Sequence, residues 1–352
     1  MSELLTHGGD WAGFLSERGK LPLDFSASIS PLGVPGGVRA AVRQAAGQMD
    51  RYPDPLCRAL RESISEYELV PPQQILCGNG AAELIFRVVW ALRPRQALVT
   101  APTFSEYGAA LQSVGCAVKT WSLPEKRDFR LEEGVLDAIT PETDLVFLCE
   151  PNNPTGVTAG RPLLLQILRR CRETGTRLVL DECFGDLLDD PESHTLKGEL
   201  EAYPNLLILK AFTKLYAMAG IRLGYALCAD RALLERMYLA GQPWSVSVPA
   251  QAAGAAALRE TAYRERVRSL VRRERPCLAK RLGTLGLRAV AGEANYLLFQ
   301  SPVSLGEPLA RRGILLRSCD NYIGLDETWY RTAVRTRRQN QRLVEALEEI
   351  VK

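Results

Sequence analysis

The chain has 352 residues, 46% of them hydrophobic, which is enough for one large and one small domain with separate cores. Its 44 basic and 41 acidic residues leave a formal charge of +3, which excludes a global attraction to nucleic acid or membrane. Nine singly scattered cysteines and two histidines predict neither a metal site nor a disulfide framework. The start is not signal-like and no run of eighteen apolar residues occurs, so we expect a soluble protein of the reducing cytoplasm.

Three regions follow one another along the chain. Residues 1–44, rich in Gly, Pro and Ser, are expected to form an N-terminal arm and part of a small domain. Residues 45–245 alternate short apolar runs with helical periodicity, which predicts a large α/β domain with a mostly parallel sheet. Residues 246–352 are expected to form a small C-terminal α+β domain, entered through an interdomain helix that Pro276 interrupts or kinks.

The individual elements are predicted from the same patterns. In the large domain the strands are Ile75–Cys77, Ala97–Ala101, Leu145–Cys149, Leu178–Leu180, Leu206–Leu209 and Leu223–Cys228. The helices between them include Ala81–Leu92, Arg161–Glu173 and Arg231–Leu239. In the small domain the predicted strands are Tyr296–Gln300, Ile314–Arg317 and Tyr330–Arg335, followed by a closing helix at Gln339–Val351.

One segment combines a lysine with phosphate-binding residue types. Lys214 lies just after a predicted strand, and Arg222 follows eight residues later. A lysine that forms a Schiff base needs a fixed position and a pKa well below its free value of about 10.4. A phosphate group needs a fork-shaped cation and hydroxyl donors, which Arg222 and Thr213 can supply. The segment is therefore a candidate site for a phosphorylated aldehyde cofactor.

Further candidate residues lie at the ends of other predicted strands. The turn Gly78–Gly80 precedes a helix whose first N–H groups can hold phosphate. Parallel strands end at a common crevice, which brings Asn153 and Asp181 to the same place. Asp181 can pair with a protonated pyridine nitrogen, Asn153 can hydrogen-bond a ring hydroxyl, and Phe104 can stack on the ring.

In chain order these segments resemble the fold-type I enzymes that use pyridoxal 5′-phosphate (PLP), within the class I/II aminotransferase superfamily. The resemblance covers nearly the whole chain and implies a large domain with a mostly parallel sheet between helices, plus a smaller α+β domain. It implies that Lys214 forms the Schiff base with PLP, Asp181 pairs with its ring nitrogen and Asn153 with its ring hydroxyl. The residues that it assigns to the phosphate are Gly80, Ala81, Ala82, Thr213 and Arg222. It also implies that Arg331 holds a substrate α-carboxylate, and that Tyr52 reaches the cofactor of a second subunit in a homodimer.

Within this superfamily the chain is similar to two families, the threonine-phosphate decarboxylases of cobalamin biosynthesis and the histidinol-phosphate aminotransferases. The segments 24–33, 243–247, 294–298, 316–326 and 330–335 resemble the decarboxylases. Phe184 also stands where aminotransferases of this fold usually have a tyrosine.

The decarboxylase resemblance implies that O-phospho-L-threonine is converted to (R)-1-amino-2-propanol O-2-phosphate. A second anion pocket for the substrate phosphate is then expected from Arg317, His7, Ser28 and Arg335. Three alternatives remain open, namely a histidinol-phosphate-type aminotransferase, a decarboxylase of O-phospho-L-serine, and a non-catalytic regulator that binds PLP as a signal. The presence of Lys214, Asp181 and Arg222 disfavours the regulator.

Overall fold

The computed structural model of the protein describes residues 7–352. The strands are β1 (Leu23–Asp24), β2 (Ile75–Gly78), β3 (Gln96–Ala101), β4 (Ala117–Ser122), β5 (Leu145–Cys149), β6 (Arg177–Asp181), β7 (Leu206–Ala211), β8 (Gly224–Leu227), β9 (Arg288–Ala289), β10 (Tyr296–Gln300), β11 (Ile314–Leu315), β12 (Arg317–Ser318) and β13 (Trp329–Ala333). The α-helices are α1 (Trp11–Arg18), α2 (Gly36–Ala45), α3 (Arg58–Glu68), α4 (Ala81–Leu92), α5 (Ser105–Gln112), α6 (Arg161–Thr174), α7 (Phe212–Leu215), α8 (Arg231–Leu239), α9 (Val248–Leu258), α10 (Thr261–Thr284), α11 (Gly306–Arg311) and α12 (Arg337–Val351).

The large domain is built on a sheet with the order β2-β8-β7-β6-β5-β3-β4. The strands β3 to β7 pair in parallel, whereas β8 is antiparallel to both of its neighbours. All five residues of β5 are buried, as expected for a parallel strand covered by helices on both sides. The predicted class, α/β with a mostly parallel sheet, is confirmed.

Each face of this sheet has its own core. Val146 and Leu148 of β5 pack with residues of α3, α6 and α9. Phe147 and Cys149, which point the opposite way, pack with residues of α4, α5 and α8. The two cores pack on opposite faces of the sheet. They thereby fix the carboxyl ends of its parallel strands, where the candidate site lies.

The small domain combines residues from both ends of the described chain. Its antiparallel sheet has the order β12-β13-β10-β9, and β1 pairs in parallel with β11. Phe25 of the N-terminal segment packs with Leu297, Phe299 and Leu343 in a core that α12 covers. The predicted division at residues 44 and 245 stays a prediction, and α2 extends one residue past the first of these boundaries.

Two predicted strands have other bounds, one strand was missed, and Pro276 does not interrupt its helix. The helix α10 continues through Pro276, which lies on its exposed side, where water can satisfy the carbonyl that proline leaves unpaired. A kink at Pro276 stays a prediction. The predicted strand Ile314–Arg317 is divided between β11 and β12, which belong to different sheets. The predicted strand Tyr330–Arg335 ends at Ala333, so Arg335 lies outside it. The edge strand β4 was not predicted, since most of its side chains are exposed and its apolar pattern is weak.

None of the helices within residues 7–352 is at once long and apolar enough to cross a membrane.

Candidate active site at the ends of the central strands

The turn between β2 and α4 forms a cradle beside a cation. Gly80 has φ +83°, and a Cβ atom at this position would lie 2.5 Å from Arg222 Nη2. Gly80 suits this position because glycine adopts this backbone conformation without strain and leaves the guanidinium in place. In the part of the chain that the structure describes, no side chain caps α4, so the N–H groups of Ala81 and Ala82 remain available. Backbone donors and Arg222 together suit a phosphate group.

A second close approach holds this cradle against the strand that leads to Lys214. A Cβ atom on Gly224 would lie 2.6 Å from the backbone nitrogen of Ala81 and 2.9 Å from the carbonyl oxygen of Lys210. Gly224 therefore lets β8 pack tightly between β2 and β7. Thr213, in the short helix α7 after β7, is partly buried.

Lys214 has the electrostatic environment of a nucleophilic amine. Burial and then the nearby charges of Arg331 and Arg222 lower its pKa to about 8, against the opposing influence of Cys183 and Asp181. Its Nζ atom lies 4.9 Å from the centre of the Phe184 ring. Its carbonyl oxygen accepts a hydrogen bond from the Ser30 N–H at 2.8 Å. The N-terminal segment thus packs directly against the lysine.

Asp181 lies at the end of β6 and is buried. Its Oδ1 atom accepts from the N–H of Cys183 at 2.9 Å, and its Oδ2 atom accepts from the hydroxyl of Tyr107 at 2.7 Å. Two donors compensate the carboxylate for its removal from water. Its remaining lone pairs can accept from a cationic ring nitrogen.

Asn153 joins the large domain to the small-domain sheet. Its Oδ1 atom accepts from Arg331 Nη1, and from the hydroxyl of Tyr322 at 3.3 Å. Arg331 Nη2 donates to the carbonyl oxygen of Ser26 at 3.1 Å. The buried Arg331 Nε has no partner within residues 7–352, so this guanidinium retains a free donor for a carboxylate.

Of the residues expected in the second anion pocket, Arg317 is the one beside Arg331. The two arginines are cross-strand partners on β12 and β13, so their side chains share one face of the sheet. Arg317 Nη2 donates to Asn321 Oδ1 at 2.7 Å, and its guanidinium lies over the Tyr322 ring at 5.5 Å. Ser28 lies two residues after Ser26 in the chain and is buried. Its hydroxyl lacks a hydrogen-bond partner in the described part of the protein.

The other expected phosphate ligands lie elsewhere around the site. His7 Nε2 is 2.8 Å from Glu106 Oε1, and its ring lies 5.7 Å from that of Phe104. Arg335, past the end of β13, has its pKa lowered by burial, while Asp24 acts in the opposite direction. Phe104 itself precedes α5 and is partly buried.

Tyr52 is 80% exposed and packs against the indole of Trp244, with ring centroids 4.7 Å apart and planes tilted by 31°. Trp244 is itself 46% exposed, so the pair presents an apolar surface to the outside of the chain. A role for Tyr52 in a neighbouring subunit stays a prediction.

The model of the family aminotransferase class I and II matches residues 22–347. The chain belongs to this family. It is 40% identical over 352 residues to threonine-phosphate decarboxylase of Salmonella typhimurium, covering 98% of this chain and 96% of that protein. It is 35% identical to histidinol-phosphate aminotransferase of Symbiobacterium thermophilum, covering 91% and 88%. The solved histidinol-phosphate aminotransferase of Sinorhizobium meliloti, in complex with PLP, has a TM-score of 0.88 at 22% identity and covers 99% and 96%. The fold-type I architecture expected from the sequence is thereby confirmed.

The contacts of three tyrosines around the candidate site were not predicted from the sequence. Tyr107 lies one helical turn after Phe104, but nothing in its apolar surroundings indicates that it reaches Asp181. Tyr322 lies in the segment 316–326, whose resemblance to the decarboxylases indicates no role for it. Tyr296 donates to the carbonyl oxygen of Asn152 at 2.8 Å and lies beneath the Arg331 guanidinium. Each contact joins positions far apart in the chain, so local pattern does not predict it.

Proposed function

We propose that the crevice between the two domains binds PLP. The residues present suit that molecule: an anion cradle at Gly80, Ala81, Ala82, Thr213 and Arg222, a lysine with a lowered pKa, and a buried carboxylate. Lys214 would attach the aldehyde, Asp181 would pair with the ring nitrogen and Asn153 would bind the ring hydroxyl. Phe104 would stack on the ring, and Phe184 would lie beside the ring hydroxyl.

The reaction that we propose is decarboxylation of O-phospho-L-threonine to (R)-1-amino-2-propanol O-2-phosphate, a step of cobalamin biosynthesis. The observation that carries this proposal is the 40% identity, over nearly the full length of both chains, to a threonine-phosphate decarboxylase. Similarity to the aminotransferase relative is lower, at 35%. Phe184 adds a chemical argument, because it provides no phenol for the ring hydroxyl.

Two arginines on neighbouring strands give the site a means to orient this substrate. Arg331, with its free buried Nε, would hold the α-carboxylate, and Arg317 on the same face would bind the phosphate. Two fixed anion contacts set the rotation about the Cα bond, which decides the bond that breaks. His7, Ser28 and Arg335 remain candidate phosphate ligands under this proposal.

The chemistry is divided between cofactor and protein. When bound, PLP supplies an electron sink for the pair left behind as carbon dioxide departs. Lys214 would return a proton to Cα, since its pKa of about 8 makes both the neutral and the charged amine accessible near neutral pH. Burial of Arg331 and Asn153 excludes water from the carboxylate end of the site.

The proposal includes a cytoplasmic homodimer in which Tyr52 acts in trans on the phosphate of the partner's PLP. The exposed Tyr52–Trp244 pair supports an interface at this surface. All nine cysteines are free thiols, which fits a reducing compartment.

The experiment uses purified PLP-loaded protein, O-phospho-L-threonine and no 2-oxo acid. We expect equimolar carbon dioxide and aminopropanol phosphate by mass spectrometry, and loss of both in Lys214→Ala. O-phospho-L-serine is assayed in parallel as the competing substrate. A protein that is silent until 2-oxoglutarate and histidinol phosphate are supplied would be an aminotransferase instead.

A further inference from the structure

The carboxylate at the end of β6 is held by a phenol from the helix α5. Tyr107 is fully buried, and its hydroxyl donates to Asp181 Oδ2 at 2.7 Å. We propose that Tyr107 is a positioning residue for PLP, whose phenol orients the Asp181 carboxylate toward the ring nitrogen. This inference rests on the proposed binding of PLP.

The Tyr107 ring has little freedom to turn its hydroxyl elsewhere. It stacks on Phe147 with centroids 4.9 Å apart and planes 6° from parallel. Phe104 packs edge-on against it at 5.6 Å and 84°. Phe147 belongs to β5, and Cys149 two residues on is the register partner of Asp181, so phenol and carboxylate lie on the same face of the sheet. The hydroxyl is therefore aimed by strand and helix together.

The protonation state of the phenol follows from its surroundings. Burial, and then the charge of Asp181 and the neighbouring Cys149, raise the pKa of Tyr107 well above its ordinary value. The hydroxyl therefore keeps its proton at neutral pH and serves as a donor. A donor that packing holds in place also fixes the direction of the carboxylate that accepts from it. With the N–H of Cys183 on Oδ1, both carboxylate oxygens are held, and their remaining lone pairs stay available to the ring nitrogen.

This arrangement has a consequence for the cofactor. A protonated ring nitrogen is the effective electron sink of PLP, and a carboxylate aimed at that nitrogen accepts a hydrogen bond from it. Without the Tyr107 hydroxyl, the Asp181 carboxylate is free to turn away from the nitrogen. The protonated ring then loses part of this hydrogen bond and withdraws electrons less strongly.

The test is ¹⁵N NMR of PLP labelled at the ring nitrogen and bound to the wild-type protein and to Tyr107→Phe. We expect the wild-type signal at the position of a protonated pyridine, and the variant signal displaced toward that of a neutral pyridine, as in Asp181→Asn. The value of kcat should fall about tenfold with KM little changed, because a hydrogen bond to a charged group is lost.

A matched control is Tyr225→Phe. Tyr225 is also a buried tyrosine, and its hydroxyl donates to the Glu68 carboxylate at 2.5 Å, away from the proposed ring site. The Tyr225→Phe variant should leave the ¹⁵N signal of bound PLP at the wild-type position. If Tyr107→Phe does not fold, Tyr107→Met, which lacks the hydroxyl and fits an apolar pocket, carries the same expectation.

A double-mutant cycle shows whether Tyr107 acts through Asp181. In the Asp181→Asn background, Tyr107→Phe should cause no further loss of kcat. An unchanged ¹⁵N signal in Tyr107→Phe, or additive losses in the cycle, would overturn the inference while leaving PLP binding intact. Absence of any PLP signal in the wild-type protein would instead refute the proposed function on which it rests.

Discussion

At the scale of single residues, the lowered pKa of Lys214 predicts a pH dependence. The neutral amine is the form that attacks the PLP aldehyde, so attachment to the apo-protein should accelerate as the pH rises through about 8. Arg331→Gln removes a positive charge that disfavours protonation, so it should move this midpoint to higher pH. Arg338→Gln, on the exposed side of α12, should not. Stopped-flow absorbance gives the rates, and a midpoint near the free lysine value of about 10.4 would contradict the account.

At the scale of elements, the turn from β2 to α4 predicts a separation of binding from folding. Gly80→Ala places a Cβ atom against Arg222 and should weaken PLP binding about tenfold, because a charge-assisted contact is displaced. Gly160→Ala is the matched control, since Gly160 also precedes a helix with φ +79° and ψ 143°, but a Cβ atom there has its nearest contact at 3.9 Å. It should cost about 1–3 kcal/mol of folding free energy through backbone strain and leave PLP binding unchanged. PLP affinity is measured by fluorescence titration. An affinity of Gly80→Ala equal to that of the wild-type protein would contradict phosphate binding at this turn.

A second prediction at this scale concerns the ion cluster that ties β7 to neighbouring segments. Lys210 Nζ lies 2.9 Å from Asp186, 3.4 Å from Glu182 and 3.8 Å from Glu68. Lys210→Met leaves buried carboxylates without their cation and should lower the free energy of unfolding by about 3 kcal/mol or more. The exposed pair of Arg312 and Glu349 provides the control, since Arg312→Met should change it by less than about 1 kcal/mol. Urea unfolding measures both free energies. Equal losses in the two variants would show that the buried cluster stabilises the fold no more than an exposed ion pair does.

At the scale of the whole molecule, a homodimer with Tyr52 in trans predicts the behaviour of hybrids. A dimer of one Tyr52→Phe chain and one Lys214→Ala chain should contain one site that is intact, because its lysine and its tyrosine come from the unaltered positions of different chains. PLP bound covalently at that site should show wild-type affinity. If Tyr52 serves its own chain, the covalent site should show the weakened affinity of the Tyr52→Phe homodimer. Differently tagged chains, co-expressed and purified twice, provide the hybrid.

The sequence predicted the fold well where burial leaves a strong pattern. The strand Leu145–Cys149 and the helices Ala81–Leu92 and Arg231–Leu239 have the predicted bounds, because each combines a sustained apolar pattern with a clear turn at its end. The strand Ala117–Ser122 was missed because an exposed edge strand needs few apolar residues. The interruption expected at Pro276 does not occur, since an exposed helix face tolerates the unpaired carbonyl.

The site was predictable to the extent that its residues lie at strand ends. Lys214 and Asp181 each follow or close a buried strand, and the common edge of a parallel sheet brings them together. The contact of Asn153 with Arg331 joins positions 178 residues apart, and the contact of Tyr107 with Asp181 joins positions 74 apart. Such contacts depend on the packing of whole elements, which periodicity does not encode.

The most direct measurement of the central claim follows the cofactor through repeated turnover. PLP-loaded protein is supplied with excess O-phospho-L-threonine and no 2-oxo acid, and the cofactor is then released by acid and identified by chromatography. Decarboxylation returns the aldehyde, so we expect carbon dioxide in large excess over enzyme and the cofactor recovered as PLP. Recovery as pyridoxamine phosphate, with no more than one equivalent of substrate consumed, would contradict the account and identify a transaminating enzyme.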